Sequence, residues 1–390
     1  MMHDQTLSRR RFLTGAGALA GAAALGLSPE RLRAAAKSPT SPVSIARCRT
    51  YELDQVLKNL DTMFDQLGGI KKLAAGKTVV VKVNLTGNPK QGALGRPASQ
   101  TYQTHPNVAL ATAILLDRAG AKRIRFVDCT YQQGPIEELL RPAGWDLPRL
   151  ASLKAAVDFE DTRNLGKGKQ YTRVKVPWGG SLFPSYDLNH SYVECDTYLS
   201  VAKLKNHYTA GVTLSVKNNF GVTPTALYAG GEQEEHTTRA RVAVLHTGLE
   251  KPPAGIPQEL DPKSPRVTTY RVPRHTVDSI GIRPIDLAII DGVETMSGGE
   301  GPWIQGIAYQ KADVLLAGRN PVCTDAIATA VMGYDPLAAR ATGPFPGDNH
   351  LKLAMDLGLG TANPKEIEVL GLPLREALHP FNWEPSGRNY

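Results

Sequence analysis

The run TVVVKVNL at residues 78–85 constrains this chain more than any other stretch. Its β-branched residues, set between Gly76 and Gly87, read as a buried strand. After a loop rich in glycine and proline comes a helical pattern over 106–119, stopped by Gly120, and then a second apolar strand over 123–128. Strand, loop, helix and strand in that order predict a right-handed parallel crossover. Ligands of such sheets bind outside the carboxyl ends of the strands. Lys82, Asn84, His105 and Asp128 all fall there.

The rest of the chain continues the alternation. Leu53, Val56, Leu57, Leu60, Phe64 and Leu67 recur at helical spacing over 51–69. Further strands are predicted at 196–201, 285–290 and 312–318, and further helices at 324–332 and 350–357. Between them, residues 131–195 change character, with polar loops, a short helix near 136–140 and a hairpin whose second strand is 171–177. This part reads as an insertion or lid. The proline-rich stretch 249–273 lacks apolar periodicity and suits an extended surface connection. The fold class is therefore α/β: a mostly parallel sheet, helices on both faces and an inserted β-rich segment at about 131–195.

The first residues predict an address. Ser8-Arg9-Arg10-Arg11-Phe12-Leu13 precedes an uncharged stretch over 12–27 and then Ala34-Ala35-Ala36. A charged start, a short apolar core and a small-residue cleavage site make a signal peptide, and the paired arginines select the twin-arginine route. The apolar core is shorter than the roughly 20 residues that cross a bilayer. Cleavage after Ala36 is favoured over a retained anchor, leaving residues 37–390 as the α/β region. The expected location is periplasmic or extracellular, with the twin-arginine translocase as the partner during export and no stable membrane span after cleavage.

Charge and cysteine content exclude several classes. Removing the leader lowers the net charge from +8 to +5, and no basic cluster is interleaved with aromatics, so nucleic acid is not an expected partner. Cys48, Cys129, Cys195 and Cys323 stand far apart without a C-x-x-C pair. No iron–sulfur cluster is expected. One or two disulfides, or four buried thiols, fit the spacing equally well. No G-x-S-x-G, H-E-x-x-H or Walker sequence occurs, nor a G-x-G-x-x-G after a strand, which speaks against serine-type hydrolysis and conventional nucleotide binding.

The densest polar group follows the strand at 196–201: Lys203, Lys205 and His207, then Thr213, Lys217, Asn218, Asn219 and Gly221. Lysine offers three donors on a flexible stem, and histidine relays a proton or binds a metal. Small residues nearby, Ala210, Gly211 and Ser215, let a ligand approach the backbone. A basic pocket for a small anionic ligand is the reading, built from Lys82, Asn84, His105, Lys203, Lys205, His207, Lys217 and Asn218. The alternative is a loop of solvated charges.

These motifs resemble the family called domain of unknown function 362. The resemblance rests on VKVN at 81–84, THP at 104–106, KLKNH at 203–207, VKNNFG at 216–221, DLAIIDGVE at 286–294 with GGEGP at 298–302, NPVCTDA at 320–326, and GLG with IEV within 358–369. It implies a family and no reaction. Many relatives also carry a ferredoxin-like cysteine segment, which this chain lacks.

A second, local likeness concerns chemistry. His207-Tyr208-x-Ala210-Gly211, with Lys217 ten residues beyond the histidine, is similar to a run of the nickel-dependent lactate racemases. There such a histidine is the acid/base and such a lysine holds a nickel pincer nucleotide covalently. The likeness implies His207 as the proton-transfer group and Lys217 as the anchor of an anion or cofactor, with His105 as a further catalytic candidate. It makes a divalent metal or a nickel-containing cofactor the candidate cofactor and an isomerase or racemase-like enzyme the candidate activity. The chain departs from the pattern at Leu214-Ser215-Val216, where the racemases have glycines before the lysine. It also lacks a histidine at the nickel-ligand spacing, the nearest being His236.

The remaining candidates carry two readings each. His105 either begins a helix or touches substrate. Asp128 ligates a cation or caps the next segment. Asp291 with Glu294 forms a carboxylate pair for a divalent ion, or merely precedes a glycine turn. Asp325 supplies charge at a helix start, and Asn349-His350 opens the last helix. His236 is a metal ligand only if the racemase likeness extends that far. A non-catalytic periplasmic anion-binding protein is the alternative to an enzyme.

Overall fold

The strand expected at 78–85 forms as Thr78–Lys82 (β2), and Val79, Val80 and Val81 are all buried. The computed structural model describes residues 38–132, 135–162, 171–228 and 241–385. Among them β2 lies inside an eight-stranded sheet. From one edge to the other the strands are Val369–Gly371 (β14), Val43–Arg47 (β1), Val314–Gly318 (β13), Leu287–Gly292 (β10), Thr197–Lys203 (β7), β2, Arg123–Asp128 (β3) and Ala156–Asp161 (β4). Only β13 is reversed, antiparallel to both β1 and β10, while the other pairings are parallel. The mostly parallel α/β fold is thus the one the alternation predicted.

Side chains alternate across a strand, and here both faces are apolar because both are covered. Val79 and Val81, Leu287 and Ile289, Leu315 and Ala317 pack on one face. Their partners there are Leu53–Gln66 (α1) and Pro106–Arg118 (α2), through residues such as Leu60, Phe64, Val108 and Leu115. Val80, Ala288, Ile290, Val314 and Leu316 point to the other face. That face carries Leu214–Asn218 (α4), Thr268–Ile282 (α5), Pro321–Val331 (α6) and His350–Asp356 (α7). Fully burying one such side chain contributes about 1.5–3 kcal/mol. No helix of the described residues is long and apolar enough to cross a membrane.

The structure corrects three details. Residues 131–195 contain Ile136–Leu140 (α3), as expected, but also β4, which completes the main sheet at its edge beside β3. Tyr171–Lys175 (β5) is the first, not the second, strand of its pair and runs antiparallel to Ser185–Asn189 (β6). The proline-rich stretch ends earlier than expected because α5 starts at Thr268 and runs through Pro273. A proline there removes the donor that the carbonyl four residues back would receive. That carbonyl, Thr269 O, accepts instead from Asp348 N at 3.1 Å. The four cysteines are free thiols, three of them buried.

Candidate functional site

The chain leaves β2 for β3 and β4 on one side, then returns to place β7 on the other side of β2. The carboxyl ends of β2, β3 and β7 therefore flank a topological switch point, where an open α/β sheet leaves a crevice. A cavity of about 450 Å³ opens there, within the range of small-molecule sites. Lys82, Asn84, Asp128, Lys205, His207, Lys217 and Asn218, scattered over more than 130 positions of sequence, all line it.

The floor is a hydrogen-bonded layer. Lys82 Nζ lies 2.6 Å from Asp128 Oδ1 and donates to Val83 O at 2.7 Å. Asp128 also accepts from Leu85 N at 2.5 Å and Cys129 N at 2.7 Å. Asn218 Oδ1 accepts from Asn84 Nδ2 at 3.0 Å and from Lys82 at 3.3 Å, while its Nδ2 donates to Ser200 Oγ at 3.0 Å. A buried charge is tolerated only when paired and bonded, and this lysine and this carboxylate satisfy each other.

One wall comes from the loop after β7. Lys205 Nζ donates to Tyr102 O at 2.7 Å and Glu300 O at 3.0 Å. Burial pushes its pKa down to about 7. His207 opens a two-stranded pair, Asn206–His207 (β8) with Gly211–Val212 (β9). Gly211 allows the turn, with φ +87° and an added Cβ only 2.7 Å from the Phe345 ring. His207 Nδ1 accepts from Thr209 N at 3.2 Å, which assigns the proton of the neutral ring to Nε2. Burial, then Lys217 and Lys205, hold His207 well below its usual pKa, so the resting ring is neutral. Glu300 Oε2 stands 3.6 Å from that Nδ1 and accepts from Tyr208 N at 2.9 Å. Trp303, 47% exposed, sits at the rim over Gly87, whose added Cβ would lie 2.5 Å from the indole.

The opposite wall carries Lys217 on α4. This short helix begins at Leu214 with φ +47°, a left-handed conformation that costs a branched residue roughly 1–2 kcal/mol. Asp325 of α6 holds it in place, accepting from Ser215 N at 3.0 Å, Ser215 Oγ at 2.5 Å and Val216 N at 2.7 Å. The aspartate therefore caps a helix other than its own. Lys217 is 7% exposed. Its Nζ lies 4.0 Å from the centre of the Phe220 ring, and among the described residues it has no hydrogen-bond acceptor. Burial, with Arg241 next, lowers its pKa to about 7.

Arg241, Tyr131, His246, Glu300 and Trp303 also line the cavity, and sequence reasoning missed them. Arg241 donates to Tyr131 Oη at 2.9 Å and to Cys129 O at 3.2 Å. His246 lies edge-on to Phe220, and its Nε2 is buried without a hydrogen-bond partner among the described residues. Glu300 and Trp303 were within reach of the sequence, since they stand in the GGEGP motif and just after it. Nothing in the local pattern around Arg241 or His246 marked them. Among the described residues, Lys82, Lys205, Lys217 and Arg241 line the cavity with Asp128 and Glu300, so cations outnumber carboxylates there.

The structure places the other candidates elsewhere. Lys203 and Asp291 are register partners on β7 and β10 and point to the face of α1 and α2. Lys203 Nζ donates to Asp291 Oδ2 at 2.7 Å, Ser99 O at 2.7 Å and Tyr51 Oη at 2.8 Å, all buried. His105 stacks on Tyr51 at 3.5 Å, and its Nδ1 accepts from Asn107 N to cap α2. Burial and then Lys203 push its pKa down to about 2. Glu294 pairs at 3.8 Å with Arg96. Asn349 caps α7. His236 lies outside the described residues.

Among the described residues no three His, Cys, Asp or Glu side chains converge as metal ligands. The orphaned His246 Nε2 is a single donor, and Asp128 and Asp291 are each bound to a lysine. Among the described residues this donor set does not fit a resident metal, because such an ion takes several ligands.

Fold and site together define an α/β protein with a lysine-lined cavity at the switch point of its sheet. The model of the domain of unknown function DUF362 matches residues 79–330, and this chain belongs to that family. A thylakoid-associated protein of Synechocystis sp. (strain ATCC 27184 / PCC 6803 / Kazusa) is 25% identical over 344 residues, which are 87% of this chain and 90% of that relative. Among solved structures, the lactate racemase apoprotein from Thermoanaerobacterium thermosaccharolyticum is 14% identical with a TM-score of 0.34, over 73% of this chain and 55% of that one. A Thermotoga maritima protein is 11% identical with a TM-score of 0.34, over 66% of this chain and 54% of that one. The chain spans about half the length of these two solved structures. Likenesses of this size assign no residue a role.

Proposed function

We propose that this protein is an enzyme that acts on a small anionic substrate, with Lys217 as the anion's anchor and His207 as the proton-transfer group. The observation that carries this reading is the Lys217 ammonium, buried in the cavity without an acceptor among the described residues. A bound anion supplies that acceptor. It also offsets the two lysine charges that hold His207 neutral, so the ring takes up a proton more readily once substrate is present. Glu300 Oε2, 3.6 Å from Nδ1, is within ion-pairing distance of the protonated ring. Lys82, Asn84, Lys205 and Asn218 fix the floor and walls and need no rearrangement as charge develops.

The test is a screen of small carboxylates and phosphates by thermal stabilisation, which rises as RT ln(1 + [L]/Kd) for one site, followed by a search for conversion of those that bind. His207→Ala is expected to be stabilised by the same anion and to lose the conversion. Absence of stabilisation by any anion overturns the reading. A second reading, a binding protein without turnover, draws on the same excess of cations. It holds if the parent leaves the stabilising anion unchanged. The nickel-dependent version implied by the racemase-like run is tested separately by metal analysis and mass spectrometry of protein from its native host. An unmodified Lys217 peptide without metal removes it.

We also propose that the chain is exported through the twin-arginine translocase. The leader sequence at residues 1–36 supports this, and the name of the Synechocystis relative is compatible with a place outside the cytoplasm.

A further inference from the structure

Four lysines crowd the carboxyl ends of the central strands, and three are fully engaged. Lys82 is held by Asp128, Lys203 by Asp291, and Lys205 by two carbonyls. A lysine bonded to acceptors has no free lone pair to offer. Lys217 differs from the other three in its partners. Its Nζ lines the cavity and meets only an aromatic face among the described residues, and Arg241 and Lys205 oppose its positive charge while Glu300 favours it. The turn that carries it is fixed from behind by Asp325, and Leu214 is held in a left-handed conformation to form it. Such strain persists where surrounding structure over-determines a position, as it does at functional sites.

We infer that Lys217 is a covalent site that forms an imine with a carbonyl compound bearing an adjacent anionic group, such as a 2-oxo acid. This rests on the anion-binding reading above and names its substrate class. The neutral Lys217 amine attacks the carbonyl carbon, and a C–N bond forms. The carbonyl oxygen takes up protons and leaves as water, and the nitrogen gives up both of its protons in reaching the imine. No oxidant or reductant is needed. Once Lys217 acts as the neutral amine, its part in holding the anionic group passes to Lys205 and Arg241, and the Nε2–H of His207 is the donor on the cavity wall for the departing oxygen. A lowered lysine pKa is the usual means of keeping such an amine neutral near pH 7.

Intact protein is incubated with pyruvate or glyoxylate and borohydride, and the adduct is located by peptide mass spectrometry. The reduced adduct is expected on Lys217 at least tenfold above every surface lysine. Lys217→Arg, which retains the charge without the nucleophile, is expected to lose the adduct while still melting cooperatively. If pyruvate or glyoxylate stabilises the parent but no adduct forms on Lys217, or the adduct is spread evenly over surface lysines, the imine is overturned while the anion pocket stands. If no anion stabilises the parent, the anion-binding reading itself fails.

Discussion

At Lys217 an ammonium is buried against a phenyl ring, with no acceptor among the described residues to offset its desolvation. Its pKa is lowered to about 7, from a value near 10.5 in the unfolded chain. Between those values the unfolded chain binds more protons, so stability rises with pH there, and the cost of the buried charge is fully present below about pH 7. Lys217→Met is therefore expected to raise the Tm of the anion-free protein at pH 6, by an amount that shrinks toward pH 10. Anion-dependent stabilisation of the parent should fade as pH rises through 7, because Lys205 loses its charge over the same range. Both follow from thermal melts across pH. The Lys82–Asp128 pair makes the opposite case. Removing one partner of a buried, bonded pair costs about 3–5 kcal/mol, so Asp128→Ala should lower stability by about that amount in urea melts.

Among the elements, α4 shows how one short turn of the cavity wall is held by a distant one. Asp325→Ala leaves Ser215 N and Val216 N without their acceptor, at about 1–3 kcal/mol per buried group. It should destabilise the protein by about 3 kcal/mol in urea melts and also weaken anion-dependent stabilisation, since Lys217 loses its fixed position. Burial raises the Asp325 pKa to about 7. The folded protein then binds the extra proton above the unfolded value near 4, and this contribution to stability is lost as pH rises from there through 7. Much of this level was legible beforehand. Strands β2 and β3 and helices α1 and α2 stood out because apolar runs and helical spacing are local signals. Helix α5 did not, because Pro273 masks it and its compensation comes from Asp348, which follows it by more than 70 positions. Strand β4 was likewise hidden, since what makes Ala156–Asp161 a strand is its pairing with β3.

Over the whole molecule, the site exists because the chain turns from one side of β2 to the other between β4 and β7. The order of elements announced a parallel sheet, and the basic motifs announced a pocket at strand ends. The proposed leader is a separate matter, read from sequence alone. Replacing Arg9 and Arg10 by lysine should leave the protein in the cytoplasm, as cell fractionation would detect, with folding and anion response unchanged. The sequence by itself determined the α/β class, the family and the identity of seven residues that line the cavity, its three lysines among them, because periodicity and residue chemistry are local properties. Only the tertiary structure decided which charges are free to act. Register on β7 and β10 sends Lys203 and Asp291 to the opposite face, where they neutralise each other, and His105 goes with them to cap α2. Folding brings Arg241 and His246 beside Lys217 from outside any motif. Whether a lysine is an ion-pair partner or an uncommitted amine depends on neighbours far away in sequence, and spacing along the chain does not encode them.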